Sequence, residues 1–354
     1  MVICSNRRFR IIAITGGRDV PSRRFRINAL VPFLEDINIE LTELCPVISA
    51  YPPSSKLLRP PWFFAALAER VTFPTRSKGY DVVILQREMI STLPTFERLL
   101  PKPWVLDVDD AIYLHRNGKA AEYMARSCSA VVCGNHYLAE KFSQWNSNVV
   151  VIPTGIDTNQ LCPRDQQTNS ESMIIGWIGT AGNFQYLELI EPALSKVLAT
   201  FPTARLQIIS NQFPNFLKHF GKQLEFIPWQ PGIENDLLPQ FTVGIMPLVD
   251  SEWARGKCAF KMLQYMASGV PVLASPVGVN KEIMDSSFVG FAVQNDDEWV
   301  EAISTLLQSP EMAKNIGKNG RRIVEKEYSL SVLSLKWKHV LETVVSKDHK
   351  NLGV

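Results

Sequence analysis

Residues 241–283 read FTVGIMPLVDSEWARGKCAFKMLQYMASGVPVLASPVGVNKEI, and their hydrophobic pattern changes period twice. Residues 242–246 form a short apolar run of the kind buried on both faces of a parallel sheet. Phe260, Leu263, Met266 and Ala267 then recur at helical spacing, and Gly269 stands where a helix ends in a left-handed residue. Residues 271–274 return to the buried-strand run. Strand, helix and strand in that order make one crossover of a parallel α/β sheet. With the helix beginning at Gly256, Lys257, Lys261 and Gln264 fall at i, i+4 and i+7 and share one face.

The same alternation extends in both directions. Toward the carboxyl terminus, residues 289–292 give another strand, and 312–345 read as helices before a polar, frayed end. Toward the amino terminus come strand runs at 173–178, 205–210 and 224–227, then at 149–152, 130–133, 104–108, 81–85 and 10–15. A helix is expected over 22–35 from the spacing of Ile27, Leu30, Val31 and Leu34. A polar stretch through Ser172, with Pro163, Gln166, Gln167, Asn169 and Ser170, interrupts the alternation and marks a domain boundary. The expected organisation is an α/β protein of two Rossmann-like parallel domains, 1–155 and 156–325, facing across a cleft, with a carboxyl-terminal helix in 326–354 that packs back on the first domain.

At 354 residues the chain is long enough for two such cores. Its 46% hydrophobic and 20% charged residues exclude a disordered chain. A net charge of +2 gives no reason to expect a nucleic-acid partner. Cys4, Cys45, Cys128, Cys133, Cys162 and Cys258 are scattered without a CxxC pair, which fits free thiols in a reducing compartment. No apolar run is long enough to span a membrane and the first residues are not signal-like, so a cytoplasmic protein is expected. Over 57–76, Trp62, Phe63 and Phe64 precede an Ala/Leu stretch flanked by Lys56, Arg59, Arg70 and Arg76. That segment either packs its aromatic face on its own domain or lies peripherally in the inner face of a membrane.

Several residues suggest chemistry. A helix start bearing Gly256, Lys257 and Lys261 is suited to phosphate, whose charge its N–H groups and dipole favour; solvated surface lysines are the plainer reading. Gly16 and Gly17 after the first strand let a ligand approach the backbone. Arg18, Arg23, Arg24 and Arg26 crowd the following helix start, where they oppose its dipole unless an anion is present. Asp107, Asp109 and Asp110 cluster at a strand end. They suit Mg2+ ligation, sugar contacts or, for Asp107 especially, a helix cap. No strand is followed by GxGxxG, which argues against a dinucleotide oxidoreductase.

The 241–283 stretch resembles the donor-binding region of the family 4 (group 1) retaining glycosyltransferases, which have the GT-B fold. Residues 151–157 (VIPTGID) are similar to that family's interdomain turn, and 175–179 (IGWIG) to the first strand of its donor domain. Ser22–Arg26 and 106–111 (LDVDDA) are similar to one branch of it. The resemblance implies donor contacts at Gly16, Gly17, Arg18, Gly179, Thr180, Asn183, Trp229, Lys257, Cys258, Phe260, Lys261 and Gln264. It implies acceptor contacts at Arg24 and His115, with catalytic roles for Asp109, Asp110, Lys257 and Lys261. Two glutamates eight positions apart are usual in the family, but Gly256 and Gln264 stand there, leaving Asp250 or Glu252 as substitutes. The family's usual Arg and Lys near 179–184 are also missing, which makes Lys257 and Lys261 the expected diphosphate ligands.

The implied reaction moves a sugar from a nucleoside diphosphate sugar to the hydroxyl of a glycan or lipid-linked acceptor, with retention of configuration and no required cofactor or metal. It fits polysaccharide or glycolipid synthesis. A nucleotide-sugar epimerase and a non-catalytic nucleotide-sugar-binding protein are the alternatives, the latter because both glutamates are absent.

Overall fold

A computed structural model describes residues 8–18, 20–163 and 173–351. The boundary stretch from 164 to 172, Cys4 and the final three residues lie outside the described residues. The chain divides into two units. The first comprises Met1–Gly155, Gly256–Cys258 and Leu330–Val354; the second comprises Ile156–Arg255 and Ala259–Ser329.

In the first unit six strands form one parallel sheet: β1 (Phe9–Ile14), β2 (Ile39–Leu44), β3 (Val82–Gln86), β4 (Trp104–Val108), β5 (Ala130–Cys133) and β6 (Val149–Val151). Their order is β2-β1-β3-β4-β5-β6. The central strands β3, β4 and β5 are buried throughout, which is why they read as continuous apolar runs. The edge strand β2, IELTEL, alternates apolar and polar residues and was not among the expected strands. Since β1 has neighbours from both later crossovers, the order reverses between β1 and β3, and the carboxyl ends there are the expected place for a ligand. The Leu330–Asn351 helix places Leu333, Trp337, Leu341 and Val344 in the core of this unit, against Leu30, Leu34 and Val150.

The second unit holds β7 (Ile174–Ile178), β8 (Arg205–Ser210), β9 (Leu224–Pro228), β10 (Val243–Met246), β11 (Val272–Ala274) and β12 (Gly290–Ala292). They form a parallel sheet of order β12-β11-β10-β7-β8-β9, so its reversal lies between β10 and β7. Two apolar clusters serve it, one centred on Trp177, Leu194 and Trp299 and the other on Met262, Leu263 and Tyr265.

Two helical expectations need correction. The helix over 22–35 is three pieces, a π turn at Arg23–Ile27, a 3-10 turn at Asn28–Leu30 and a short α-helix at Val31–Glu35. Pro32 lacks the N–H that a continuous helix would need, so it falls in the first turn of the last piece. The helix expected from Gly256 begins only at Phe260 and runs to Ala267, because Ala259 adopts a left-handed conformation at φ +51. Its end follows the expectation: Gly269 has φ +70, Gly269 N–H donates to Met266 O, and Val270 N–H donates to Tyr265 O. That pair of bonds is a Schellman cap.

Candidate active site

At the reversal of the second sheet, the turn after β7 and the Phe260–Ala267 helix are locked together by Tyr265. Its ring covers Gly244, where an added Cβ would lie 2.4 Å from it. Its hydroxyl accepts from Ile178 N–H at 3.1 Å and donates to Ile245 O at 3.4 Å. One side chain on the helix therefore positions the ends of both β7 and β10. One turn earlier on the same helix, the Lys261 ammonium lies 4.6 Å from the centre of the Trp177 ring. A Cβ on Gly179 would come within 2.8 Å of the Lys261 Nζ, so only glycine leaves the lysine its place above the backbone there. Thr180 and Asn183 close the next turn through an Asn183 Nδ2 to Thr180 Oγ1 bond of 3.1 Å, and Asn211 accepts from Ala181 N–H. Lys261 thus brings a positive charge from the first turn of the helix to Gly179 at the strand end, an arrangement suited to a phosphate.

The neighbouring expectations change. Gln264 is buried in the core beside Leu263 and Tyr265 rather than on a polar face shared with two lysines. Phe260 and Trp229 are half-buried against the same cluster, and Trp229 N–H continues the ladder to Ser210 O. Asp250, one substitute for the missing glutamate, is held in a two-pronged ion pair by Arg255 at 2.7 and 2.8 Å. Glu252 is exposed at the start of the Glu252–Arg255 turn of helix.

Lys257 is not on the helix. With Gly256 and Cys258 it belongs to the first unit, where Lys257 O accepts from Asn135 Nδ2 at 3.1 Å and Cys258 Sγ donates to Asp109 O at 3.2 Å. Burial pushes the Cys258 thiol up to about 12, so it is not a nucleophile near neutrality. A Cβ at Gly256 would lie 2.7 Å from Ala111 Cβ. The glycine that replaces the expected glutamate is therefore required by close approach of two backbones.

In the first unit the arginines and aspartates pair with each other. Arg26, buried, binds Asp107 through two nitrogens and also donates to Ile152 O at 2.8 Å. Burial would lower its pKa, but the charge of Asp107 holds it above the ordinary value. Arg23 is paired with Glu43 on β2. These two members of the arginine cluster thus have internal anions and do not call for an external one. Arg24 stacks at 4.3 Å on Phe25, and Arg18 is exposed. Asp107 is an ion-pair partner, not a helix cap; Asp110 accepts from Ala111 N–H.

Arg87 bonds Asp109 at 2.6 Å, Tyr51 Oη at 3.1 Å and Asp110 at 3.5 Å. Burial opposes ionisation of Asp109, yet Arg87 keeps its carboxyl below the usual range. Among the described residues no group of three His, Cys, Asp or Glu side chains could hold a metal ion. His115 is exposed on the irregular Ile112–Gly118 segment.

Around the first sheet's reversal the sequence points to Gly16 but not to Gln86, Arg87 or Glu88. Gly16 after β1 and Gln86, Arg87 and Glu88 at the end of β3 line a narrow cavity with Ser22, Ala50, Tyr51 and Ser91. It has room for about one water-sized group. Among the described residues, neither end of the Gln86 amide nor Ser22 Oγ has a hydrogen-bond partner, although both side chains are buried. Glu88, also buried, has its carboxyl pushed up to about 7 by that burial. Arg87 adopts φ +58, a strained conformation for a side-chain-bearing residue, of the sort retained at functional sites. The signal in the sequence was a polar Gln-Arg-Glu run directly after a buried strand.

Residues 172–309 match the family described as glycosyl transferases group 1. Over those residues the chain is similar to the group 1 glycosyltransferases. The chain is 21% identical over 295 residues to spore coat protein SA of Bacillus subtilis (strain 168), covering 74% of this chain and 76% of that protein. Its fold is similar to sucrose-phosphate synthase of Thermosynechococcus elongatus, with a TM-score of 0.72, 14% identity and coverage of 96% and 100% of the two chains. It is similar too to Anabaena HepE in complex with UDP-glucose, with a TM-score of 0.68, 14% identity and coverage of 95% and 99%. These likenesses give the chain the GT-B fold.

Proposed function

We propose that this transferase moves a hexosyl group from a nucleoside diphosphate sugar to a hydroxyl of a glycan or lipid-linked acceptor, with retention of configuration. The observation that carries the reading is the Lys261 ammonium lying over Gly179 at the start of the Phe260–Ala267 helix. There the lysine and the helix N–H groups bind the donor's diphosphate and stabilise the charge it gains as it leaves. The bond between the anomeric carbon and the diphosphate oxygen breaks, a bond from the acceptor oxygen to that carbon forms, and the acceptor proton passes to a departing phosphate oxygen. A side-chain base is not required. Thr180 and Asn183 flank the donor phosphates, and Trp229 borders the nucleobase.

The cavity of Gln86, Ser22 and Glu88 seats one acceptor hydroxyl. A hydroxyl both donates and accepts, as the two ends of the Gln86 amide require. Within the first unit Arg87 fixes the carboxylates of Asp109 and Asp110, which with Lys257 are further candidate catalytic groups.

The reading is tested by incubating the protein with a panel of nucleotide sugars. Slow release of free nucleoside diphosphate, accelerated by an added glycan acceptor, is expected. An epimerised donor, or binding without turnover, contradicts it.

A further inference from the structure

The Arg59–Arg70 helix turns an apolar face away from its own unit. Trp62, Ala66 and Arg70, spaced by four, point inward: Trp62 Nε1 donates to Ser49 O at 3.0 Å, Ala66 is buried, and Arg70 is buried and donates to Met89 O at 3.1 Å. The opposite positions, Pro60, Pro61, Phe64, Ala65 and Ala68, are all exposed and none is polar. Phe64 is 69% exposed, and just before the helix Leu57 is 89% and Leu58 57% exposed. Of the aromatic trio singled out in the sequence, Trp62 and Phe63 are half-buried and only Phe64 stands clear. A contiguous apolar face of this kind on a water-facing helix marks an interaction surface.

Charge selects the partner. Across residues 46–80 the sole acid is Glu69. Its carboxylate is turned onto the backbone N–H groups of Val47 and Ile48, at 2.7 and 3.1 Å, and onto Arg70 at 2.9 Å. The exposed charges of the segment, on Lys56, Arg59, Arg76 and Lys78, are all positive. We infer that this face is a docking surface for an anionic lipid bilayer, with Leu57, Leu58 and Phe64 entering the interface and Lys56 and Arg59 meeting the headgroups. A helix with an apolar outward face and basic flanks lies in the plane of such an interface. The inference stands independently of the transferase reading, since it uses none of the donor or cavity residues.

The test is flotation of the full chain with vesicles of phosphatidylcholine, alone or doped with phosphatidylglycerol. The protein floats with the doped vesicles and is released by molar salt. Lys56→Gln with Arg59→Gln weakens partitioning about 25-fold, about fivefold per charge. Leu57→Ser, Leu58→Ser and Phe64→Ser together weaken it by at least about tenfold. Because these side chains are exposed, the melting temperature and the affinity for nucleoside diphosphate stay unchanged, which separates this result from failure of the donor site. Absence of flotation with doped vesicles overturns the inference, as does flotation of both variants equal to that of the parent. A wild-type dimer that the triple variant converts to monomer, with no vesicle binding, assigns the face to a second copy and also overturns it.

Discussion

The Lys261 ammonium rests 4.6 Å from the centre of the Trp177 ring, across the backbone of Gly179. Two residues on different elements thereby fix a positive charge at the carboxyl end of β7, where the usual family cations are missing from the chain. The position depends on Gly179 having no side chain. Gly179→Ala puts a methyl group 2.8 Å from Lys261 Cε and Nζ and 2.7 Å from the Trp177 ring. The far end of the lysine is flexible, but the Trp177 ring is buried in the core, so the expected outcome is a displaced lysine together with some loss of stability. Titration calorimetry should then show weaker nucleoside diphosphate binding by the folded variant, by about tenfold, with a lowered melting temperature.

The glutamate expected at position 256 is excluded by Ala111. Gly256→Glu, which restores the family pattern, is predicted to destabilise by about 1–3 kcal/mol through overpacking and to leave sugar transfer no faster. Denaturant unfolding and an initial-rate assay check the two halves. A variant as stable as the parent with raised turnover would mean that the approach of residues 111 and 256 is not tight.

The buried Arg26–Asp107 pair is predicted to behave as a unit. Either Arg26→Met or Asp107→Leu alone leaves one buried charge without its counter-ion and should cost about 3–5 kcal/mol. The double variant should recover most of that loss, because apolar groups replace both ions. Chemical denaturation of the three variants gives the coupling directly; simple additivity would contradict a paired burial.

Glu88 supplies a pH dependence of known sign. Its carboxyl is raised by burial from 4.5 to about 7 in the folded protein. Between those values the unfolded chain has released a proton that the folded one retains, so stability falls as pH rises through the window and levels off above about 7. The full effect is on the order of 3 kcal/mol. Glu88→Gln should flatten this part of the profile, which thermal melts across the window would show. An unchanged slope would remove Glu88 from the buried cavity.

Much of this architecture is legible in the chain because parallel strands buried on both faces are written as apolar runs; Trp104–Val108, Ala130–Cys133 and Arg205–Ser210 are found where their composition puts them. What was not legible depends on partners distant in sequence. The strand β2 is an edge, and its Glu40, Thr42 and Glu43 hide it; with it hidden, Arg23 lost its counter-ion Glu43 and the arginines looked like an anion site. The left-handed turn at Ala259 leaves no mark in composition, so helical spacing places Lys257 on a helix that starts only at Phe260. Gln86 and Glu88 share a cavity with Gly16 only because the strand order sets the end of β3 beside that of β1.

The central claim is that Lys261 holds the donor's diphosphate. Its most direct measurement compares the affinity of the parent and of Lys261→Met for the best-binding nucleoside diphosphate and for the corresponding nucleoside. Met keeps the stem that lies on Trp177 and removes the charge. The account predicts that the diphosphate is bound about 10- to 100-fold more weakly, as expected for loss of a charge-assisted contact, while the nucleoside is bound equally well. Equal weakening of both, or no change in either, would contradict it.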